Sequence, residues 1–262
     1  MQKIRIGPAG LGGDEEKGLL ELKNNGLDFC EVAFTYNVYM KKDEAEKAGK
    51  LAKELGIGLS CHAPYYINLN SEDKKKIEAS KSRILKGAER CEQFNGELVV
   101  FHPGYYGKLS KEETYENIKN NILDIQEEIK KNKWNVKLAP ETTGKINVFG
   151  DLDEILRLVK ETKCFFCIDF AHLKARNNGK VNYEEIFEKL KNFDKLHCHF
   201  SGINYTNKGE RNHLVTDIKD IKELAKFILK SKIDTTIINE SPDCFNDAIK
   251  TKRVFEELGY RF

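Results

Sequence analysis

The sequence predicts an α/β fold, a single (β/α)8 barrel running over residues 1–262 with its chemistry at the carboxyl-terminal face of the strands, and three observations carry that reading. Eight short apolar runs with strand character recur along the chain. Segments that keep apolar residues on a helical period separate them, and the length of 262 residues is that of one closed barrel of eight such units. Strict alternation of strand and helix calls for a parallel sheet, the arrangement of a TIM barrel.

The first run, Ile4–Gly7, opens into Gly7-Pro-Ala-Gly10-Leu-Gly12-Gly13. A doubly wound open sheet, the rival architecture, would usually place a GxGxxG phosphate turn there, and this spacing does not match it. The segment therefore reads as a flexible loop over the barrel's top face, where glycine lets a backbone come close to a ligand. The remaining strands are expected at Phe29–Phe34, Ile57–His62, Leu98–His102, Val136–Glu141, Phe165–Asp169, Leu196–Phe200 and Thr235–Glu240. Helical periodicity is plain in Leu152, Ile155, Leu156 and Val159, and again in Ile218, Ile221, Leu224 and Ile228. The charge runs at Lys74-Lys-Lys-Ile and Glu127–Lys133 read as solvated helix faces.

Composition narrows the function. With 44 Lys+Arg against 42 Asp+Glu the net charge is +2, so any polyanion site must be local. No apolar stretch approaches the ~18 to 20 residues of a membrane span, and the amino terminus lacks the apolar region of a signal peptide. A cytoplasmic monomer without membrane contact is the expectation. The seven cysteines are an odd, scattered set in a chain too large to need disulfide staples, so they read as reduced thiols. Cys164-Phe-Phe-Cys167 has CxxC spacing but lies in a strand-like run without a second CxxC, and reads as buried thiols.

The positions of the ionisable residues are more informative. The six histidines fall at a strand's carboxyl end or in the loop after one, save His197, two residues before His199 on the same strand, and none falls in a predicted helix. His62 and His102 close the third and fourth strands, and Glu141, Asp169 and Glu240 close the fifth, sixth and eighth. His199 occupies the same place on the seventh, and His172 follows Asp169 by three residues. Side chains two apart on a strand share a face, so these residues stand one layer above Ser60, Val100, Ala139, Cys167 and Ile238, which are small or apolar. A single strand-end histidine is usually an ordinary hydrogen-bonded rim residue. Three carboxylates crowded among several imidazoles would be costly to bury unless cations neutralised them, and mixed imidazole and carboxylate donors suit zinc first, with manganese or iron as alternatives. A multinuclear metal site at the barrel mouth is therefore predicted. His197 shares parity with His199 one layer deeper and is expected to hydrogen-bond to the ligands rather than to bind metal. The long polar loop after the seventh strand returns His213.

The motifs His62-Ala-Pro-Tyr65-Tyr-Ile-Asn-Leu, Val100-Phe-His102-Pro-Gly, Glu141-Thr-Thr-Gly and Cys167-Ile-Asp169-Phe-Ala-His172 together resemble endonuclease IV, the apurinic/apyrimidinic (AP) endonucleases of the xylose-isomerase-like barrels. The resemblance runs nearly end to end. It implies a zinc-dependent DNA-repair enzyme that hydrolyses the phosphodiester 5′ to an abasic site in double-stranded DNA and leaves a 3′-hydroxyl. It implies a trinuclear zinc centre; the residues present would hold two or three Zn²⁺ ions, and their donor types admit Mn²⁺ or Fe²⁺ as alternatives. His62, His102 and Glu141 would hold the first ion. Glu141, also the catalytic residue by this reading, would bridge to a second ion held by Asp169, His199 and Glu240. His172 and His213 would bind a third, but the family's Asp-x-His pair appears here as Glu210-Arg211-Asn212-His213, with the acid three residues before the histidine instead of two.

Contact with DNA would have to come from the rim. Tyr36, Tyr39, Tyr65, Tyr66, Tyr105 and Tyr106 fall in predicted top-face loops, with Lys41, Lys42 and Lys108 close behind. Aromatics that wedge into a distorted duplex beside phosphate-binding lysines suit an enzyme that extrudes its target nucleotide, and Tyr65 matches the family's DNA-contacting tyrosine. Two other readings keep the same barrel. A sugar isomerase or epimerase would leave His62, His102 and His213 without metal duties, and a non-catalytic damage-binding module would bind metal without turnover.

Overall fold

All eight expected strands form, within about two residues of the expected limits, in a computed structural model that describes residues 2–262. The order is β1 (Ile4–Pro8), α1 (Glu15–Asn24), β2 (Phe29–Ala33), α2 (Lys42–Leu55), β3 (Gly58–His62), α3 (Lys74–Gln93), β4 (Leu98–Phe101), α4 (Lys111–Lys131), β5 (Lys137–Pro140), α5 (Leu152–Thr162) and β6 (Cys167–Asp169). It continues with α6 (Phe170–Arg176), α7 (Tyr183–Leu190), β7 (Lys195–Phe200), β8 (Gly202–Thr206), β9 (Gly209–Leu214), α8 (Ile218–Ser231), β10 (Asp234–Asn239) and α9 (Cys244–Glu257). The helices start where the sequence supplies caps. Asp14, Asp73, Ser110, Asp151 and Asp217 each accept a backbone N–H of the first turn, and Ser110 with Glu113 and Asp151 with Glu154 close capping boxes.

The chain has the TIM-barrel fold. Its strands pair in parallel as two arcs, β1-β10-β7-β6 and β2-β3-β4-β5. Two sparse seams close the cylinder, an Ala9–Glu31 bridge between β1 and β2 and a Glu141–Cys167 bridge between β5 and β6. Most apolar residues pack between strands and helices, with Phe34, Phe101, Phe149, Phe166 and Phe170 among the largest fully buried. Inside the barrel, Leu98, Val100, Ala139 and Cys167 form a small apolar floor. Leu152, Ile155, Ile221, Leu224 and Ile228 are buried as their periodicity predicts, whereas Ile218, the first residue of α8, is exposed. All seven cysteines are free, and Cys164 and Cys167 are both buried. Among the described residues no helix is long and apolar enough to cross a membrane.

Three local expectations change. His172 lies inside α6, because Asp169 ends β6 and at once caps that helix, accepting the His172 N–H at 2.6 Å. The long polar loop is an antiparallel hairpin, β8–β9. Gly10, Gly12 and Gly13 have positive φ and open space where a side chain would be, so they serve the turn from β1 to α1.

Candidate metal centre

Glu141 sits just past β5, wholly buried, with its backbone N–H bonded to the Phe101 carbonyl of the neighbouring strand. Four imidazoles converge on its carboxylate. His62 Nε2 and His102 Nε2 each lie 3.1 Å from Oε2, while His172 Nδ1 and His199 Nδ1 lie 3.0 and 3.4 Å from Oε1. Asp169, His199 and Glu240 complete a second set of donors around the same carboxylate, and Asp169, His172 and His213 make a third. The predicted ring of His62, His102, Glu141, Asp169, His172, His199, His213 and Glu240 is therefore one constellation. It is not one ladder row. His62 pairs with Val100 and Ala139, Glu141 with Cys167 and His197, and Asp169 with His199 and Ile238, so strand tilt brings residues from successive rows to one height.

Hydrogen bonds to one ring nitrogen orient the other. His62 Nδ1 is 2.8 Å from the Ala63 carbonyl and His172 Nδ1 is 2.9 Å from the Thr142 carbonyl. A carbonyl only accepts, so each Nδ1 carries a proton and Nε2 is the nitrogen that a cation would take in place of a proton. Ser201 Oγ donates its one proton to the Gly202 carbonyl at 2.9 Å and must accept from His213 Nδ1 at 2.7 Å. His213 Nε2 is thereby left to a cation in the same way. His199 is reversed, with Nδ1 toward Glu141 and 3.2 Å from Glu240, and Nε2 pointing deeper.

The hairpin resolves the spacing anomaly around His213. Tyr205 pairs with Glu210 and Asn204 with Asn212, so Arg211 is an extra, bulged residue. In a regular strand two residues three apart face opposite ways; the bulge restores a common face. Glu210 Oε2 reaches within 3.5 Å of His172 Nε2, and the His172 and His213 imidazoles stand 5.3 Å apart. Gly144, in the Glu141-Thr-Thr-Gly motif, admits the hairpin, since a Cβ there would come within 2.6 Å of the Glu210 Cβ.

Burial and neighbouring charge contend throughout. Burial raises the Glu141 carboxyl, but His102 and His199 together hold it well below the ordinary range. Burial likewise opposes, and His199 outweighs, a shift that takes Glu240 down to about 2. Asp169 is the exception, raised chiefly by burial. Burial lowers His62, yet the Glu141 carboxylate carries it up to about 9.

Glu31 was not among the residues that the sequence pointed out. It lies inside β2, fully buried, and accepts from Ser60 Oγ at 2.7 Å and from His197 Nε2 at 3.0 Å. Its other oxygen is 2.9 Å from His199 Nε2. The usable signal was an acid between Cys30 and Val32 in an otherwise apolar strand. The layer beneath the ring thus carries the Glu31 carboxylate beside Ser60, where the expected lining is only small or apolar. His197 does bond a carboxylate, that of Glu31.

A cavity of about 280 Å³ opens above the ring, lined by His102, Tyr65, Tyr105, Lys145 and Glu210 among others. Tyr36, Tyr39, Tyr65, Tyr66 and Tyr105 are exposed on the rim. Tyr65 is 6.0 Å from the His62 ring and Tyr36 is 6.4 Å from Tyr66. Tyr106 is not free: its hydroxyl donates to Glu154 at 2.8 Å and accepts from Arg176 at 3.2 Å, and its ring packs on Phe149. Tyr39 is exposed but also packs edge-to-face with Phe34, ring centroids 5.4 Å apart.

A family model described as a xylose isomerase-like TIM barrel matches residues 19–257. An uncharacterized protein of Methanocaldococcus jannaschii is 39% identical over 94% of this chain and 93% of its own length. A protein named probable endonuclease 4, from the Aster yellows witches'-broom phytoplasma, is 29% identical over 81% of each chain. Among solved structures, endonuclease IV from Thermus thermophilus superposes with a TM-score of 0.70 at 19% identity, covering 98% of each chain. A D-psicose 3-epimerase does so with a TM-score of 0.68 at 16% identity, covering 96% of this chain and 90% of its own. At these identities the two structures speak for the fold alone.

Proposed function

Because the chain belongs to the AP endonuclease 2 family of xylose isomerase-like TIM barrels, we propose that it is a metal-dependent nuclease that hydrolyses the phosphodiester 5′ to an abasic site in duplex DNA, leaving a 3′-hydroxyl. One observation carries this reading: a wholly buried carboxylate, Glu141, faced by four imidazoles at 3.0 to 3.4 Å. The donors fit divalent cations. Glu141 Oε1, Asp169 Oδ2, His172 Nε2 and His199 Nδ1 are all buried without a hydrogen-bond partner, which is costly unless an ion takes that place.

His62, His102 and Glu141 would hold one ion, and Glu141, Asp169, His199 and Glu240 a second. Asp169, His172 and His213 would hold a third, with Glu210 supplying beside His172 the acid that the loop's spacing seemed to misplace. Nitrogen and oxygen donors in these numbers favour zinc, with Mn²⁺ or Fe²⁺ accepted by the same set. Bound cations would supply charge neutralisation for the phosphoryl oxygens and leaving alkoxide, and acidify water at neutral pH. The chain's own part is to fix the donors: Ala63, Thr142 and Ser201 hold three imidazoles with Nε2 toward the mouth. The exposed tyrosines offer stacking faces to bases around an extruded nucleotide, and Lys145 brings positive charge to the cavity wall.

A sugar isomerase or epimerase shares the barrel but would give His62, His102 and His213 nothing to bind, whereas here each stands among carboxylates. Metal-loaded protein incubated with an abasic-site duplex and, separately, with a panel of ketoses decides between them. Chelator-sensitive strand scission on the 5′ side is expected. Ketose interconversion without scission would overturn the nuclease reading.

A further inference from the structure

One layer beneath the mouth lies a second group of donors, of which the nuclease reading uses only His199, and that through Nδ1. Cys167 on β6 and His197 and His199 on β7 place ligand atoms within 4.8 Å of one another, all buried, and Glu31 reaches across from β2. We infer that Cys167, His197 and His199, with Glu31 beside the two histidines, form a second, deeper metal site for a borderline-soft divalent cation such as zinc or cobalt.

One hydrogen bond, from His197 to Glu31, spans these donors, and a second contact has the form of ligands waiting for an ion. Zinc bound tetrahedrally at ~2.0 to 2.1 Å spaces nitrogen and oxygen ligands about 3.3 Å apart. Glu31 Oε2 is 3.0 Å from His197 Nε2, and Glu31 Oε1 is 2.9 Å from His199 Nε2. That second contact is short but off the N–H line, and both of its atoms lack a hydrogen-bond partner. A hydrogen-bonded network would have aligned them; two groups that share an ion need not be. The surroundings agree, since Leu98, Val100 and Ala139 make the wall beside Cys167 apolar, and leaving Glu31 Oε1 buried there without a partner is costly. Thiolate with imidazole is also a softer donor set than the oxygen-rich mouth, so the two levels would differ in metal preference.

His199 belongs to both levels, with Nδ1 toward Glu141 and Glu240 and Nε2 toward Glu31. When both are loaded its imidazole joins them, and filling the deep site then releases two protons, one from the Cys167 thiol and one from the His199 ring.

The mouth contains no sulfur donor, so a thiolate-to-cobalt charge-transfer band in the near ultraviolet reports the deep site alone. Metal-free full-length protein is loaded with Co²⁺ both by incubation and by refolding in its presence, so that access to a closed site cannot mask the result. The wild type is expected to show the band and to bind about one more cobalt than Cys167→Ser, which loses the band. Cys198→Ser, on the opposite face of the same strand as His197 and His199, keeps it. Absence of the band from the wild type under both loadings, or its persistence in Cys167→Ser, overturns the deep site. The band is read without DNA, so its absence leaves the nuclease reading standing, and a failed scission assay leaves the deep site standing.

Discussion

Glu210 and His213 face the same side of the β8–β9 hairpin, three residues apart, because Arg211 is bulged out of register between Glu210 and Asn212. If this geometry builds the third cation site, His213→Ala binds about one metal fewer than the wild type by elemental analysis. Deleting Arg211 makes the hairpin regular and leaves the acid and the histidine two apart, still on one face. That deletion is expected to keep the full metal complement, and loss of an ion from it would show that a shared face of the hairpin is not enough to build the site.

Glu141→Gln keeps the shape of the side chain and removes the charge that two donor groups share. Scission of an abasic duplex is expected to fall by ~10³-fold or more, beyond the ~10² to 10³ of losing one neutral transition-state donor. Far-ultraviolet circular dichroism should remain that of the wild type. Wild-type rates in this variant would refute the bridging role.

Tyr65 is exposed over the cavity and 6.0 Å from the His62 ring, while Tyr106 is tied to Glu154 and Arg176. Stacking of a base on an aromatic ring contributes ~1 to 3 kcal/mol, so Tyr65→Ala should weaken binding of abasic DNA roughly ten- to a hundredfold. Tyr106→Phe should leave affinity near wild type. Equal losses in fluorescence-anisotropy titrations of the two variants would contradict the division of the rim into free and packed tyrosines.

Away from the mouth, Asp247 is buried and accepts Thr216 N at 2.7 Å, Thr216 Oγ1 at 2.6 Å and Lys250 Nζ at 2.6 Å. Burial opposes these bonds, which nonetheless hold its carboxyl below the ordinary value. A depressed native pKa means that the unfolded chain binds the proton first, so the stabilisation is complete above about pH 4 and drains away below it. Urea denaturation of wild type and Asp247→Asn should therefore show a gap that is constant near neutrality and narrows as the pH falls below about 4. A gap independent of pH would remove Asp247 as the cause.

The sequence made the barrel legible because each strand is an apolar run ended by a turn signal, and the mouth because strand ends share a parity. His62, His102, Asp169 and Glu240 needed nothing more. Glu31 escaped because a mid-strand acid is usually an exposed edge residue, and only closure of the cylinder turns it toward His197, 166 positions away. The pairing of Glu210 with His213 was hidden by a bulge, which depends on how two strands meet and has no local signature. Tyr106 looked like its neighbours because the Arg176 and Glu154 that hold it lie far along the chain.

The seams of the cylinder have a thermodynamic consequence. One half of the strands contributes His62, His102 and Glu141 and the other Asp169, His199 and Glu240, while the halves themselves meet through single bridges at Ala9–Glu31 and Glu141–Cys167. Any cation shared across that divide acts as a clasp, so occupancy of the mouth and integrity of the cylinder become one linked equilibrium. Chelation should then quicken amide exchange first along β1, β2, β5 and β6, the four strands that border the joins.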